Sequence, residues 1–158
     1  MSKFFRFGSL SLLTIVSFTS PTLADECKKI HGTIVDVQVI EGCTSPNKFC
    51  AEGTVTGNHG LNGTTYFVMD GAVRGPATLP GSLATSGVLV YTTDGGTLTV
   101  RESGLSGLRE SDQGYFTAFQ QVLEGTGEYE GATGHLWVLG QAFPDRFEAG
   151  IRGEICLP

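Results

Sequence analysis

Eight runs rich in β-branched and aromatic residues occupy most of the chain from residue 30 to residue 157, and most of the gaps between them are too short for a helix. The runs are IHGTIVDVQVI (30 to 40), AEGTVTG (51 to 57), TTYFVMDG (64 to 71), SGVLVYTTD (86 to 94), TLTVRES (97 to 103), YFTAFQQVLE (115 to 124), GHLWVLGQAF (134 to 143) and RFEAGIRGEICL (146 to 157). A parallel neighbour requires a crossover of roughly a dozen or more residues, usually helical. These gaps hold turn chemistry instead: DGG at 94 to 96, PD at 144 to 145, and the polar loop NHGLNG at 58 to 63. Glycine accepts the positive φ that tight hairpin turns demand, so neighbouring strands are expected to run antiparallel.

Four cysteines, Cys27, Cys43, Cys50 and Cys156, narrow the fold further. Four cysteines allow three connectivities. The expected pairing is Cys43 with Cys50, stapling CTSPNKFC, and Cys27 with Cys156, joining the two ends of the chain. The second bond requires the first and last strands to lie together, as they do when a sheet closes on itself. The fold class expected is all-β, an eight-stranded antiparallel closed barrel, with a β-sandwich as the alternative. The interior of such a barrel is just wide enough to be filled by side chains or to hold one small ligand. A zinc site is the competing use of cysteine, but there is no C-x₂-C pair and the three histidines are scattered, so no metal is expected. No motif calls for a cofactor.

Residues 1 to 24 combine Lys3 and Arg6, the apolar run LSLLTIVSF (10 to 18) and a small residue at Ala24, the pattern of a secretory signal peptide cleaved before Asp25. The apolar run falls short of the roughly 20 residues that a spanning helix needs, so membrane insertion is not expected. A secreted or periplasmic protein is expected, with a single domain over 25 to 158. The leader holds two of the ten basic residues and none of the sixteen acidic ones, so the mature chain carries a net charge of −8. Nucleic-acid binding needs a basic surface to displace counterions, and no basic cluster exceeds Lys28-Lys29.

The stretch GTGEYEGATG, 125 to 134, places four glycines in ten positions between the sixth and seventh runs. A phosphate-cradling loop would lead into a helix and often carry a lysine. Here a strand follows and no lysine is near. The stretch is similar to the G-x-G-x-[FY]-x-G-x-x-G signature of the allene oxide cyclase and dirigent superfamily, and DGGTLTV (94 to 100) resembles the hairpin that precedes it; the likeness covers residues 86 to 140. The resemblance implies a calycin-type barrel, often a homotrimer, with an interior pocket for a small hydrophobic molecule. In plant members that pocket steers cyclisation or radical coupling. Glu130 and Thr133 stand where dirigent proteins usually carry basic residues, and the cyclase's catalytic residues have no counterparts here, so neither activity is carried over.

Within the matched region Tyr91, Arg101, His135 and Trp137 are candidate ligand-binding residues, with His135 a proton shuttle near neutral pH and Trp137 an aromatic wall. A core role for Trp137 and a surface role for His135 are the simpler accounts. In the first strand Val35, Val37 and Val39 share one face while Asp36 and Gln38 share the other, the alternation of a half-buried strand. In the last, Phe147, Ala149, Ile151 and Ile155 oppose Arg146, Glu148, Arg152 and Glu154. A solvated polar face is the simple account; a trimer with apolar residues outward would instead bring Arg152 into the pocket. The functional expectation is an exported barrel that binds a small hydrophobic molecule, the alternative an isomerase or cyclase that orients a flexible substrate.

Overall fold

The computed structural model describes residues 26–107 and 114–158. The leader expected over 1 to 24 and residues 108–113, between the fifth and sixth runs, lie outside the described residues. The strands are β1 (Glu26–Val39), β2 (Cys50–Gly57), β3 (Asn62–Arg74), β4 (Ser82–Thr93), β5 (Gly96–Gly107), β6 (Gly114–Gly125), β7 (Thr133–Ala142) and β8 (Arg146–Leu157). Each pairs antiparallel with its sequence neighbours, and β8 returns to β1, closing the barrel. The closed barrel is thus the fold, not the sandwich. Two strands extend beyond the runs read from the sequence: β4 already begins at Ser82, and β5 continues to Gly107.

Closure rests on a ladder from Glu26 opposite Leu157 to Val37 opposite Arg146. Cys27 and Cys156 face each other in that ladder and are disulfide-bonded, while Cys43–Cys50 ties down the β1–β2 connection. Both bonds are those expected from spacing, and both fit an oxidising compartment. Among the described residues no helix is long and apolar enough to cross a membrane.

One end of the barrel is plugged. Ile30, Leu61, Leu98, Val122, Tyr129, Ala132, Leu136 and Ile155 are buried there as part of a continuous apolar core. Tyr129 comes from the glycine-rich segment, which makes a single 3₁₀ turn over Gly127–Tyr129 between β6 and β7. This turn presses against the β4–β5 hairpin: the Glu128 amide donates to Gly95 O at 2.8 Å and the Thr126 amide to Thr97 O at 2.9 Å. Gly127 has φ +62°, and a Cβ there would lie 2.2 Å from Gly95 O, so only glycine permits both the backbone and the approach. The glycines therefore let a loop fold flat onto the barrel end and drive one tyrosine into it. Glu128 and Glu130 stay exposed.

The β2–β3 turn belongs to the same end. Asn58 Nδ2 donates to Lys29 O at 2.9 Å and Asn58 Oδ1 accepts from the His31 amide at 2.8 Å, fastening the turn to β1.

Strand β1 is half-buried as its alternation implies, but its buried side is the one bearing Asp36. Ile30, Ile34 and Asp36 point inward, whereas Val35 and Val37 are 39% and 42% exposed. In β8 the apolar side faces in, with Ala149, Ile151 and Ile155 buried and Arg152 exposed. The solvated polar face is therefore the one observed in β8, and the inverted arrangement with Arg152 inside is not.

Candidate functional site: a cavity with an acidic floor

Toward the opposite end the interior opens into a cavity of about 260 Å³. Its wall is mainly apolar: Ile34, Ala51, Met69, Leu89, Val138 and Ala149 line it together with the rings of Phe49, Phe67, Phe116 and Phe147. The rings form a connected set. Phe49 packs edge-on against Phe67 and Phe147, with centroids 6.4 and 6.1 Å apart, and Phe147 lies 5.3 Å from Phe116. The mouth is bordered by Leu83, Thr85 and Ser106 and by the β7–β8 turn, Phe143 to Arg146. At the turn the Arg146 guanidinium sits 4.3 Å from the Phe143 ring centroid and bonds to Glu148 and Asp145.

The deep end of the cavity is polar. Glu102 on β5, Gln120 on β6 and Asp36 on β1 line it, and all three are buried. Tyr91, fully buried on β4, donates its hydroxyl to Gln120 Oε1 at 2.7 Å. Gln120 Nε2 in turn donates to Glu102 Oε2 at 2.7 Å. Tyr91 thereby fixes the orientation of the Gln120 amide, which presents its N–H to the carboxyl group. Separately, the Thr65 hydroxyl donates to Asp36 Oδ1 at 2.5 Å. Room for Asp36 comes from Gly53 opposite it on β2, where a Cβ would lie 2.3 Å from Asp36 Oδ1.

Burial governs the protonation of this cluster. It pushes Glu102 up to about 7, with the negative charge of Asp36 adding and the Gln120 bond opposing. Asp36 is also raised by burial, against the lowering effect of the Thr65 bond. The Tyr91 phenol is held un-ionised, first by burial and then by the charge of Glu102. Among the described residues neither Glu102 Oε1 nor Asp36 Oδ2 has a hydrogen-bond partner. No fully enclosed side-chain nitrogen or oxygen among those residues lacks a partner, so both oxygens open onto the cavity. The arrangement can hold an apolar molecule and offer a proton, or a negative charge, to one end of it.

Of the residues singled out in the sequence, Tyr91 alone is inside the barrel, as the support of the polar floor. Arg101, His135, Trp137 and Arg152 do not line the cavity. Arg101 is on the outer surface, its guanidinium forked onto both carboxylate oxygens of Asp70. His135 stacks on Phe119 at 5.9 Å, and Phe119 packs at 4.7 Å on Trp137, which is 55% exposed. Arg152 is exposed opposite Trp137 in the β7–β8 ladder. The reason is strand parity. Odd-numbered positions of β5 and β7 face outward, so Arg101, His135 and Trp137 share a side that packs on no core.

Asp36, Glu102 and Gln120 were not selected from the sequence. A signal does exist: each occupies the inward parity of its strand, alongside Ile30 and Ile34, Leu98 and Val100, and Ala118 and Val122 respectively. Among the described residues no group of three or more His, Cys, Asp or Glu could hold a metal ion. Compared with protein families, with curated proteins and with solved structures, the chain matches none.

Proposed function

We propose that this protein is an exported barrel, related to the allene oxide cyclase and dirigent superfamily, that holds one small, largely apolar molecule in its interior without turning it over. The observation that carries this reading is the 260 Å³ cavity, walled by phenylalanine and aliphatic side chains. An eight-stranded barrel is the size at which a single small ligand fits. The leader pattern of residues 1 to 24 and the two disulfides support export to an oxidising compartment. The glycine-rich signature supports the family, and with it a trimer in which the outer strip of Phe119, Trp137 and Leu139 is covered; light scattering should then give the mass of three chains, and the mass of one chain overturns the trimer.

One observation favours a second reading, an isomerase or cyclase. A carboxyl group poised at about 7 beside an apolar cavity is matched to proton donation at neutral pH. Extracting the protein purified from its own host and identifying the bound molecule by mass spectrometry separates the two. Recovery of one compound unchanged after prolonged incubation is the expected result. Its conversion to an isomer by the wild type, abolished in Glu102→Gln, would replace the binding reading with the catalytic one.

A further inference from the structure

We propose that the cavity selects an organic cation: an amphiphile whose protonated amine sits between Asp36 and Glu102 while its apolar body lies among the phenylalanine rings. The inference rests on the binding reading above and specifies the chemical class of the ligand.

Four observations converge on it. First, Asp36 and Glu102 are only 9% and 5% exposed, yet each keeps one carboxyl oxygen that no described residue satisfies and that faces the cavity. Neither carboxyl is bonded to the other, so they do not close on themselves as an acid pair. Second, among the described residues no cation accompanies them. The one basic residue among the described lining, Arg146, is at the mouth and already engaged by Glu148 and Asp145. A buried acidic group without a positive partner is costly, and a ligand that supplies the charge relieves that cost. Third, the described lining carries three carboxyl groups, Asp36, Glu102 and Asp145, against the single guanidinium of Arg146. An anionic ligand would add to that imbalance. Fourth, four phenylalanine rings line the same space and suit the apolar body that the amine carries.

The geometry also distinguishes an ammonium group from a neutral donor. An alkylammonium has three N–H donors and can serve more than one carboxyl oxygen at once; a hydroxyl has one. Hydrogen bonds between ionised partners are shorter and about twice as strong as neutral ones.

Binding is expected to depend on pH through the same groups. Those facing Glu102 are Asp36 from β1, Tyr91 from β4 and the uncharged Gln120 from β6, with Thr65 of β3 on the far side of Asp36. Tyr91 stays neutral, so the carboxyl groups alone change charge. Near and below neutrality an incoming ammonium must displace the proton of Glu102, and binding should release it to solvent.

The test is calorimetric titration of the disulfide-intact protein with tryptamine, tryptophol and indolepropionate, which share one apolar body and differ in their polar end. At about pH 8 tryptamine should bind at least about tenfold more tightly than tryptophol, with indolepropionate weakest. At about pH 5.5 tryptamine should bind at least about tenfold more weakly than at about pH 8, with a proton released on binding. Glu102→Gln and Asp36→Asn should each erase the preference for the amine while tryptophol still binds. Equal affinity for tryptamine and tryptophol, or a preference that neither variant alters, overturns the amine assignment and leaves the cavity reading standing. Absence of saturable binding by all three overturns both.

Discussion

Glu102→Gln should make the barrel more stable, not less, above neutral pH, by roughly 3 kcal/mol. Removing a buried charged side chain usually costs stability when a partner is left behind. Among the described residues there is no positive partner to strand; the remaining contact, Gln120 Nε2 to Glu102 Oε2, can be accepted equally by a glutamine carbonyl. The sign follows from the protonation of the two states. Unfolded, this carboxyl titrates at the ordinary glutamate position of 4.5; folded, burial holds it up to about 7. The native protein therefore keeps a proton that the unfolded chain has lost. Its stability contribution is fully present below 4.5, declines as pH rises, and is gone above about 7. Asp36 is raised by the same burial and acts in the same direction. Asp70 and Glu154 are lowered by exposed partners, Arg101 and Lys29, and act oppositely at more acidic pH. Denaturant unfolding of wild type and variant across pH isolates Glu102. The two curves should coincide near pH 4 and separate progressively up to about 7, the variant on top. A gap of constant size, or a less stable variant at every pH, would mean that Glu102 is ionised in the folded barrel.

The second large effect is expected at the barrel seam. Replacing Cys27 and Cys156 with serine should cost about 4 kcal/mol, and replacing Cys43 and Cys50 roughly half as much. The first bond spans 129 residues and the second 7, and a crosslink removes more freedom from the unfolded chain as the loop it closes grows. The structural consequence differs as well. Cys27–Cys156 fastens the β1–β8 ladder, the pairing with the longest sequence separation in the fold, so its loss exposes two strand edges to partners from other chains. Cys43–Cys50 anchors a connection near the open end and leaves every ladder of the barrel in place. Denaturant midpoints should rank the variants in this order, and concentration-dependent aggregation should accompany only the first. The reverse ranking would contradict the seam as the main locus of stabilisation.

Fold and site differ in how far the sequence exposes them, for reasons visible in particular residues. Period-two patterning, DGG, PD and the Cys27/Cys156 pair each constrain local geometry, and together they leave few topologies besides a closed antiparallel barrel. The glycine-rich stretch is equally legible as a bend, though its physical purpose, pressing Gly127 against Gly95 and burying Tyr129, needed the neighbouring hairpin to be seen. The site was harder to read because interior and exterior of a small barrel use similar residues. Val35 and Val37 look like core and face solvent, while Asp36 between them looks like surface and is buried. Trp137 and His135 draw attention by residue type, yet parity places them outside. The informative feature was a polar residue at an otherwise apolar parity, and it recurs at Asp36, Glu102 and Gln120. Their convergence arises only when β1, β5 and β6 curve round one interior, which no single strand's pattern encodes.

The central claim is that the open end of the barrel leads to a ligand-holding cavity, and titration with the apolar fluorophore N-phenylnaphthylamine tests it most directly. Wild type should bind one molecule saturably, with enhanced fluorescence, and a large side chain at either of two lining positions, Ala51→Phe in the wall or Ser106→Trp at the mouth, should weaken that binding about tenfold or more in proteins that still unfold cooperatively. Unchanged binding in both folded variants, or no saturable binding by the wild type, would contradict it.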